Sequence, residues 1–291
     1  MSSGSSPEGV TPSGDYIYDG AGGFAAYAAT TETQWTALIT NELTTSFTPA
    51  ETGFWDMLFN IDAAQSSADY ANAQLSIMNR TIKDLFDQAA GTALSSNWDT
   101  YTEGAGLGTI EQDGKGNADW VEAGGVDRGE LNRWNAEQTA TNSQLIQIIS
   151  AIPPVQELFN PNSKQRIYGH VNDAGAITDY VYAEIGATGV EIGMVIAGVE
   201  TVLATNLSVT MRRGDVWDFT CGTPASDYSF ILYQNGTSVL TATDGSALHN
   251  IGAGYRSVGF GMFAVWQIIL ISQSSPGEIA VFSADDATWG S

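Results

Sequence analysis

The sequence predicts a mixed, mainly β protein, with a helical N-terminal region followed by an antiparallel β-sandwich. Three observations carry that class. A seam of apolar residues spaced 3-4-3-4 runs unbroken through residues 61–89. After Gly91 the apolar period changes to two, the period of a strand. About a dozen short β-type runs then alternate with Gly, Asn, Asp and Ser turns, the pattern of a sandwich or barrel.

In chain order, residues 1–29 read as a flexible lead and docking segment. Residues 1–14 are rich in Ser, Gly and Pro, and 15–29 suit a short strand or docking loop. The helical region covers 30–91. Thr30 or Thr31 is placed to cap a first helix with Trp35, Leu38, Ile39 and Leu43 as its apolar positions. A second helix spans about 52–90. Its seam consists of Ile61, Ala64, Ala68, Ala71, Leu75, Met78, Ile82, Leu85 and Ala89. A stripe this narrow suits a partner helix and predicts an oligomer; the alternative is an amphipathic helix packed on its own domain. No charges occupy the flanking positions to set partner or orientation. Gly91 stands where a helix-ending glycine belongs.

The sandwich is predicted over 94–291. Its strands are expected at 119–123, 143–151, 166–171, 179–185, 189–196, 201–204, 207–212, 215–221, 228–234, 238–243, 256–263, 266–272 and 277–283. Asn235-Gly236 between two of them predicts a type I′ hairpin. Residues 135–152 could be taken for a helix, but a β-branched apolar core followed by Pro153-Pro154 favours a buried strand.

Composition narrows the function. Charged residues are 15% of the chain, against roughly 25% in soluble domains. The 33 acidic and 10 basic residues leave a net charge of −23. With so few bases and no basic patch, nucleic-acid partners are disfavoured, and so is an anionic membrane surface. No apolar run is long enough for membrane insertion, and the N-terminus lacks the pattern of a secretory signal. The single cysteine, Cys221, excludes an intrachain disulfide and reads as a buried small hydrophobe.

Several segments together resemble a minor tail protein of actinobacterial (mycobacteriophage-type) tailed phages. The N-terminal carriers are the Ser/Gly/Pro lead, Gly14-Asp15-Tyr16-Ile17-Tyr18, Phe54-Trp55 and the seam. The second half resembles their concanavalin-like, laminin-G-like jelly roll. It does so through Trp98-Asp99-Thr100-Tyr101, Arg213-Gly214-Asp215, Gln234-Asn235-Gly236, residues 198–203, 255–262 and 276–286. The resemblance implies a virion component made in the host cytoplasm. It further implies a trimeric tail-tip or fibre-like protein, docked to other virion tail proteins through its N-terminal region, that displays a sandwich toward host cell-wall glycan. It implies no catalytic residues.

Chemistry is sparse in the residues themselves. With two histidines, His170 and His249, and no Gly-x-Ser-x-Gly elbow, a Ser/His/Asp triad is not expected. Neither Glu184 nor Asp215 has a second acid two residues along its strand, and Asp285-Asp286 would point apart, so a glycosidase pair is not expected. The loop at 113–119 lacks a Ca²⁺-loop spacing and reads as a solvated turn. No metal and no cofactor are expected. If a glycan site exists, the candidate platform is Trp98, Tyr101, Trp120 and Trp134, aromatics in a Gly/Asp/Asn-rich stretch; the competing role for them is closing the sandwich core.

Overall fold

The computed structural model of the protein describes residues 17–18, 24–25, 80–122, 126–155, 163–223, 225–267 and 272–287. The chain divides into two compact units, 1–69 and 70–291. In the first, the described residues are two short strands, β1 (Ile17–Tyr18) and β2 (Phe24–Ala25), paired antiparallel. The seam positions Ile61, Ala64, Ala68, Ala71, Leu75 and Met78 lie outside the described residues, as does the rest of the predicted helical region up to residue 79.

The second unit is a two-sheet sandwich. Its strands are β3 (Ile82–Asp84), β4 (Thr92–Ala93), β5 (Trp98–Gly104), β6 (Thr109–Gln112), β7 (Ala118–Val121), β8 (Arg128–Trp134), β9 (Gln144–Ile152), β10 (Lys164–Val171), β11 (Tyr180–Gly186), β12 (Thr188–Ile196), β13 (Val199–Thr210), β14 (Val216–Thr223), β15 (Ser226–Gln234), β16 (Thr237–Thr243), β17 (Ser257–Gln267), β18 (Ser272–Ser274) and β19 (Glu278–Asp286). Among the described residues the first sheet has the order β13-β12-β11-β10-β17-β8-β5, with β18 beside β17. The second has the order β16-β15-β14-β9-β19-β7-β6-β4, with β3 beside β19. β10 to β13 form a meander in one sheet and β14 to β16 in the other. β17 and β19 then return to the middle of each, so the late chain locks the early chain in place.

Alternation along the strands fills the space between the sheets. Ile167, Val181, Ile192, Phe260 and Met262 from the first sheet meet Ile146, Ile148, Trp217, Phe219, Phe230 and Phe282 from the second in one buried cluster. Within 135–152 the choice of strand over helix is correct at residues 144–152: the strand expected at 143–151 is β9, between β14 and β19. At Asn235 and Gly236 φ is +50° and +76°, the two positive values that a type I′ hairpin requires. Cys221 is fully buried.

Three seam members fall within the described residues, and there the helix prediction fails. Ile82 lies in β3, paired with Ala284 of β19, and is 1% exposed. Leu85 is 38% exposed and Ala89 is exposed too. Phe86, which the seam left outside its stripe, is fully buried against Phe260 at 5.6 Å. The burial alternates through Ile82, Lys83, Asp84, Leu85 and Phe86, in register with an open stretch of β19. A β-branched residue offered a sheet edge gains ladder bonds and burial that an alanine-rich stripe cannot match. Gly91 caps no helix; it sits at φ +76° in a turn, and its N–H donates to the Gln112 carbonyl at 2.9 Å. Among the described residues the sandwich thus includes β3, ahead of the predicted start at 94.

Candidate functional site

The outer face of the first sheet carries the densest chemistry of the sandwich. Cross-strand register arranges it in three parallel rows. The first runs Glu103, Gly129, Phe263, Lys164 across β5, β8, β17 and β10. The second runs Tyr101, Leu131, Gly261, Arg166, Glu184, Glu191 and reaches β12. The third runs Asp99, Arg133, Gly259, Tyr168, Tyr182, Gly193.

The glycines in these rows decide how the rings lie. A Cβ on Gly129 would sit 2.2 Å from the Phe263 ring, one on Gly261 would sit 2.3 Å from the Tyr168 hydroxyl, and one on Gly193 would sit 2.4 Å from the Tyr182 ring. Each ring is thus laid down over a neighbouring strand instead of standing up from the sheet. The result is a flat aromatic floor.

Two arginines are clamped into that floor. Arg166 donates from Nε to Glu184 at 2.8 Å and approaches Glu200 at 3.1 Å, while its guanidinium lies 4.2 Å from the Tyr182 ring centre and 4.8 Å from that of Phe263. Burial works against its charge, but the Glu184 and Glu200 carboxylates beside it outweigh burial and hold it above its ordinary range. Lys164 reaches the other oxygen of Glu184 at 2.8 Å. Arg133 is paired with Asp99 at 2.6 Å and donates to the Asn172 carbonyl and the Tyr101 hydroxyl. The Arg133 bond, and after it one from Asn135, hold Asp99 below the usual carboxylate range. Burial pushes Tyr180 up to about 12 and Tyr168 up as well, so both phenols stay neutral. The Tyr168 hydroxyl is buried without a hydrogen-bond partner, a state that native proteins keep rare.

The floor itself is closed off: Arg166 is 5% exposed and Tyr168 1%. Its rim is open. Tyr101, Phe263 and Glu191 are half-buried, and Glu103 and Glu200 are exposed. At the end of the first row a cleft of about 210 Å³ opens between Glu103, Asp127, Arg128, Lys164 and Phe263. A second cleft, of about 500 Å³, lies where β13 approaches β16, lined by Arg212, Asp215, Gln234 and Asn235. Asp215 there is fully engaged, accepting from Arg212 N–H, Gln234 and Asn235, and the Arg213-Gly214-Asp215 tripeptide is a turn. Neither the tripeptide nor this cleft presents an aromatic side chain.

The predicted platform is redistributed. Trp98, Trp120 and Trp134 are 5–6% exposed and belong to the interior cluster. Trp98 packs edge-on against Trp134, Phe260 and Phe282 at 4.9–5.0 Å, and its N–H donates to Asp84. These three close the core, which corrects their place in the platform. Tyr101, of opposite parity on β5, does stand on the outer face. Sequence reasoning missed Phe263, Tyr168, Tyr182, Arg133 and Arg166. The alternating Tyr180 and Tyr182 were the one local signal of an aromatic face on β11.

The two histidines, far apart in sequence, meet inside the protein. His170 Nδ1 lies 3.0 Å from His249 Nε2, His249 Nδ1 lies 3.1 Å from Asp244, and His170 Nε2 lies 2.7 Å from the Asn142 carbonyl. Burial pulls His170 down to about 4 and lowers His249 too. Among the described residues no serine hydroxyl or thiol is bonded to either ring, and the hydrogen bonds tie the 244–250 loop to β10. Among the described residues no group of three or more His, Cys, Asp or Glu is placed to hold a metal ion, and no helix is long and apolar enough to cross a membrane. Asp113 bonds back to Lys115 and Asn117 within its own turn.

A family model described as "Domain of unknown function (DUF7257)" matches residues 57–290. The chain belongs to this family. Its DUF7257 region takes in the whole described sandwich. A curated relative, the "Gene 31 protein" of Mycobacterium phage D29, is 25% identical over 191 residues, which are 61% of this chain and 31% of that protein. The DUF7257 chain thus spans about a third of the phage relative's length. Among solved structures, an endo-1,3-beta-glucanase from Streptomyces sioyaensis aligns at a TM-score of 0.47 and 10% identity, covering 71% of this chain and 95% of that one. A Bacillus subtilis protein of unknown function with a galectin-like fold gives 0.46 at 7%, covering 71% and 96%. The carbohydrate binding module CBM66 from Bacillus subtilis gives 0.40 at 12%, covering 67% and 96%.

Proposed function

We propose that this chain is a phage virion protein, a minor tail or tail-tip component, whose sandwich attaches to a host cell-surface glycan through the outer face of its first sheet. The observation that carries the site is the glycine-laid aromatic floor with an open rim. The half-buried Tyr101 and Phe263 rings of the rim present apolar surface, and the rim carboxylates of Glu103, Glu191 and Glu200 present acceptor atoms beside them, the combination a ligand site uses to orient a partly apolar ring. The phage relative supports the virion setting. Trimerisation, and docking to other tail proteins through the N-terminal region, remain parts of the same proposal. Three copies of a weak site displayed together would gain by avidity.

A catalytic reading has one specific observation in its favour. Glu184 and Glu191 stand directly opposite each other on β11 and β12, facing the same side. A retaining glycosidase needs two carboxyl groups about 5–5.5 Å apart. Against it, both oxygens of Glu184 are taken by Lys164 and Arg166, and Glu191 accepts from the Tyr182 hydroxyl. Such carboxylates serve as clamps, with none placed to give up a proton. The test is incubation of the full chain with purified actinobacterial cell-wall polysaccharide. Attachment predicts co-sedimentation without reducing-sugar release. Sugar release that disappears in Glu191→Gln would establish the enzyme instead, and neither binding nor release would remove the attachment role.

A further inference from the structure

We infer that the outer face selects an uncharged, hydroxyl-rich polysaccharide and rejects glycans carrying phosphate or carboxylate. This rests on the attachment reading and names its ligand class. Three cations of the face, Arg133, Lys164 and Arg166, each already have a carboxylate within ion-pair distance: Asp99, Glu184, and Glu184 with Glu200. The fourth, Arg128 at the edge of the cleft, donates from Nε and Nη1 to the Gly108 and Gly106 carbonyls. Against these four stand six carboxylates, Asp99, Glu103, Asp127, Glu184, Glu191 and Glu200, so the face carries a net charge of −2. The chain as a whole carries −23, so its long-range field adds to the same sign.

What remains unsatisfied on the rim is acceptor capacity. Glu103 is exposed, Glu191 has a hydroxyl on one oxygen, and Glu200 is bonded to Arg166 through one oxygen. Carboxylate acceptors fixed beside half-buried rings match a sugar that donates from its hydroxyls while an apolar ring face rests on Phe263 or Tyr101. A uronate or phosphodiester in the same place would meet like charge with the nearby cations already engaged, a repulsion that weakens its binding.

The test is isothermal titration of the full chain with four probes: yeast mannan, a neutral β-glucan, polygalacturonate and poly(glycerol phosphate) teichoic acid. The expected result is binding to at least one neutral polymer, changing less than about twofold between roughly 20 and 500 mM NaCl, with neither anionic polymer bound. The double variant Glu103→Gln/Glu191→Gln should weaken the neutral ligand by about five- to tenfold, since a charged acceptor is worth more than an amide. Binding of an anionic polymer that salt abolishes, or a double variant that gains affinity, overturns the selectivity while leaving attachment standing. Binding of none of the four, nor of whole cell-wall polysaccharide, overturns both.

Discussion

Replacing Ile82 and Leu85 separately with aspartate distinguishes the strand from the helical seam. In a 3-4 helical seam both residues occupy one stripe, so the two substitutions would act alike, separating chains without unfolding the sandwich. In the structure they point opposite ways. Ile82 is 1% exposed and pairs with β19, while Leu85 is 38% exposed. Ile82→Asp forfeits about 1.5–3 kcal/mol of apolar burial. It also places an unpaired carboxylate in the interior, at a further cost of several kcal/mol. The sum, on the order of 5 kcal/mol, rivals the whole stability of an ordinary domain. Leu85→Asp should stay within about 0.5 kcal/mol, as surface changes do. Urea unfolding of the full chain, followed by tryptophan fluorescence, reads both. The expected result is an Ile82→Asp protein that is unfolded or melts at far lower urea, beside a Leu85→Asp protein like wild type. Equal midpoints for the two variants would refute the strand.

Three further outcomes follow from the same geometry. Gly129→Ala places a Cβ 2.2 Å from the Phe263 ring, so the ring must rise; a stability loss of about 1–3 kcal/mol in urea should come with weakened glycan binding. Acid should weaken the fold through His170, which burial holds at about 4 against roughly 6.5 when unfolded. The folded imidazole resists a proton that the unfolded one accepts, so stability is full above about pH 6.5 and falls by up to ~3 kcal/mol as pH drops to about 4, and His170→Gln should flatten that part of the melting-temperature profile. Asp119 and Glu278 face each other across β7 and β19, and burial, then each other's charge for Glu278, raises both. Their protonation favours the folded state, so stability from this pair rises as pH falls through the carboxylate range. Asp119→Asn should therefore stabilise the fold at pH 7 by a few tenths to about 1 kcal/mol, measurable as a higher urea midpoint.

The strands with clean alternation were legible because their inward residues are apolar: Val181, Ala183 and Ile185 on β11 announce themselves. β8 was not legible. Its inward side carries Glu130, which accepts from the Ile110 N–H, and Asn132, whose Oδ1 accepts from the Thr100 hydroxyl while its Nδ2 is buried without a partner; those donors lie 20 and 32 residues away. A strand whose buried positions are polar shows no period. β3 was misread because Leu85, an exposed residue, completed a heptad while the buried Phe86 did not. The glycan platform failed for a related reason. Aromatic density pointed to Trp98, Trp120 and Trp134, but the parity of β5 turns Trp98 inward and Tyr101 outward. The floor depends on Gly129, Gly261 and Gly193 lying beside Phe263, Tyr168 and Tyr182, and that register joins β8 (Arg128–Trp134) through β10, β11 and β12 to β17 (Ser257–Gln267), strands far apart in the chain. No local window contains it.

The most direct test of the account is binding of the full chain and its Phe263→Ala variant to purified host cell-wall polysaccharide, with circular dichroism confirming that both are folded. The outer face predicts that wild type binds and that Phe263→Ala loses about tenfold or more, because the half-exposed ring beside the Glu103–Lys164 cleft is gone. A folded Phe263→Ala protein that binds as tightly as wild type would place recognition elsewhere and contradict the account.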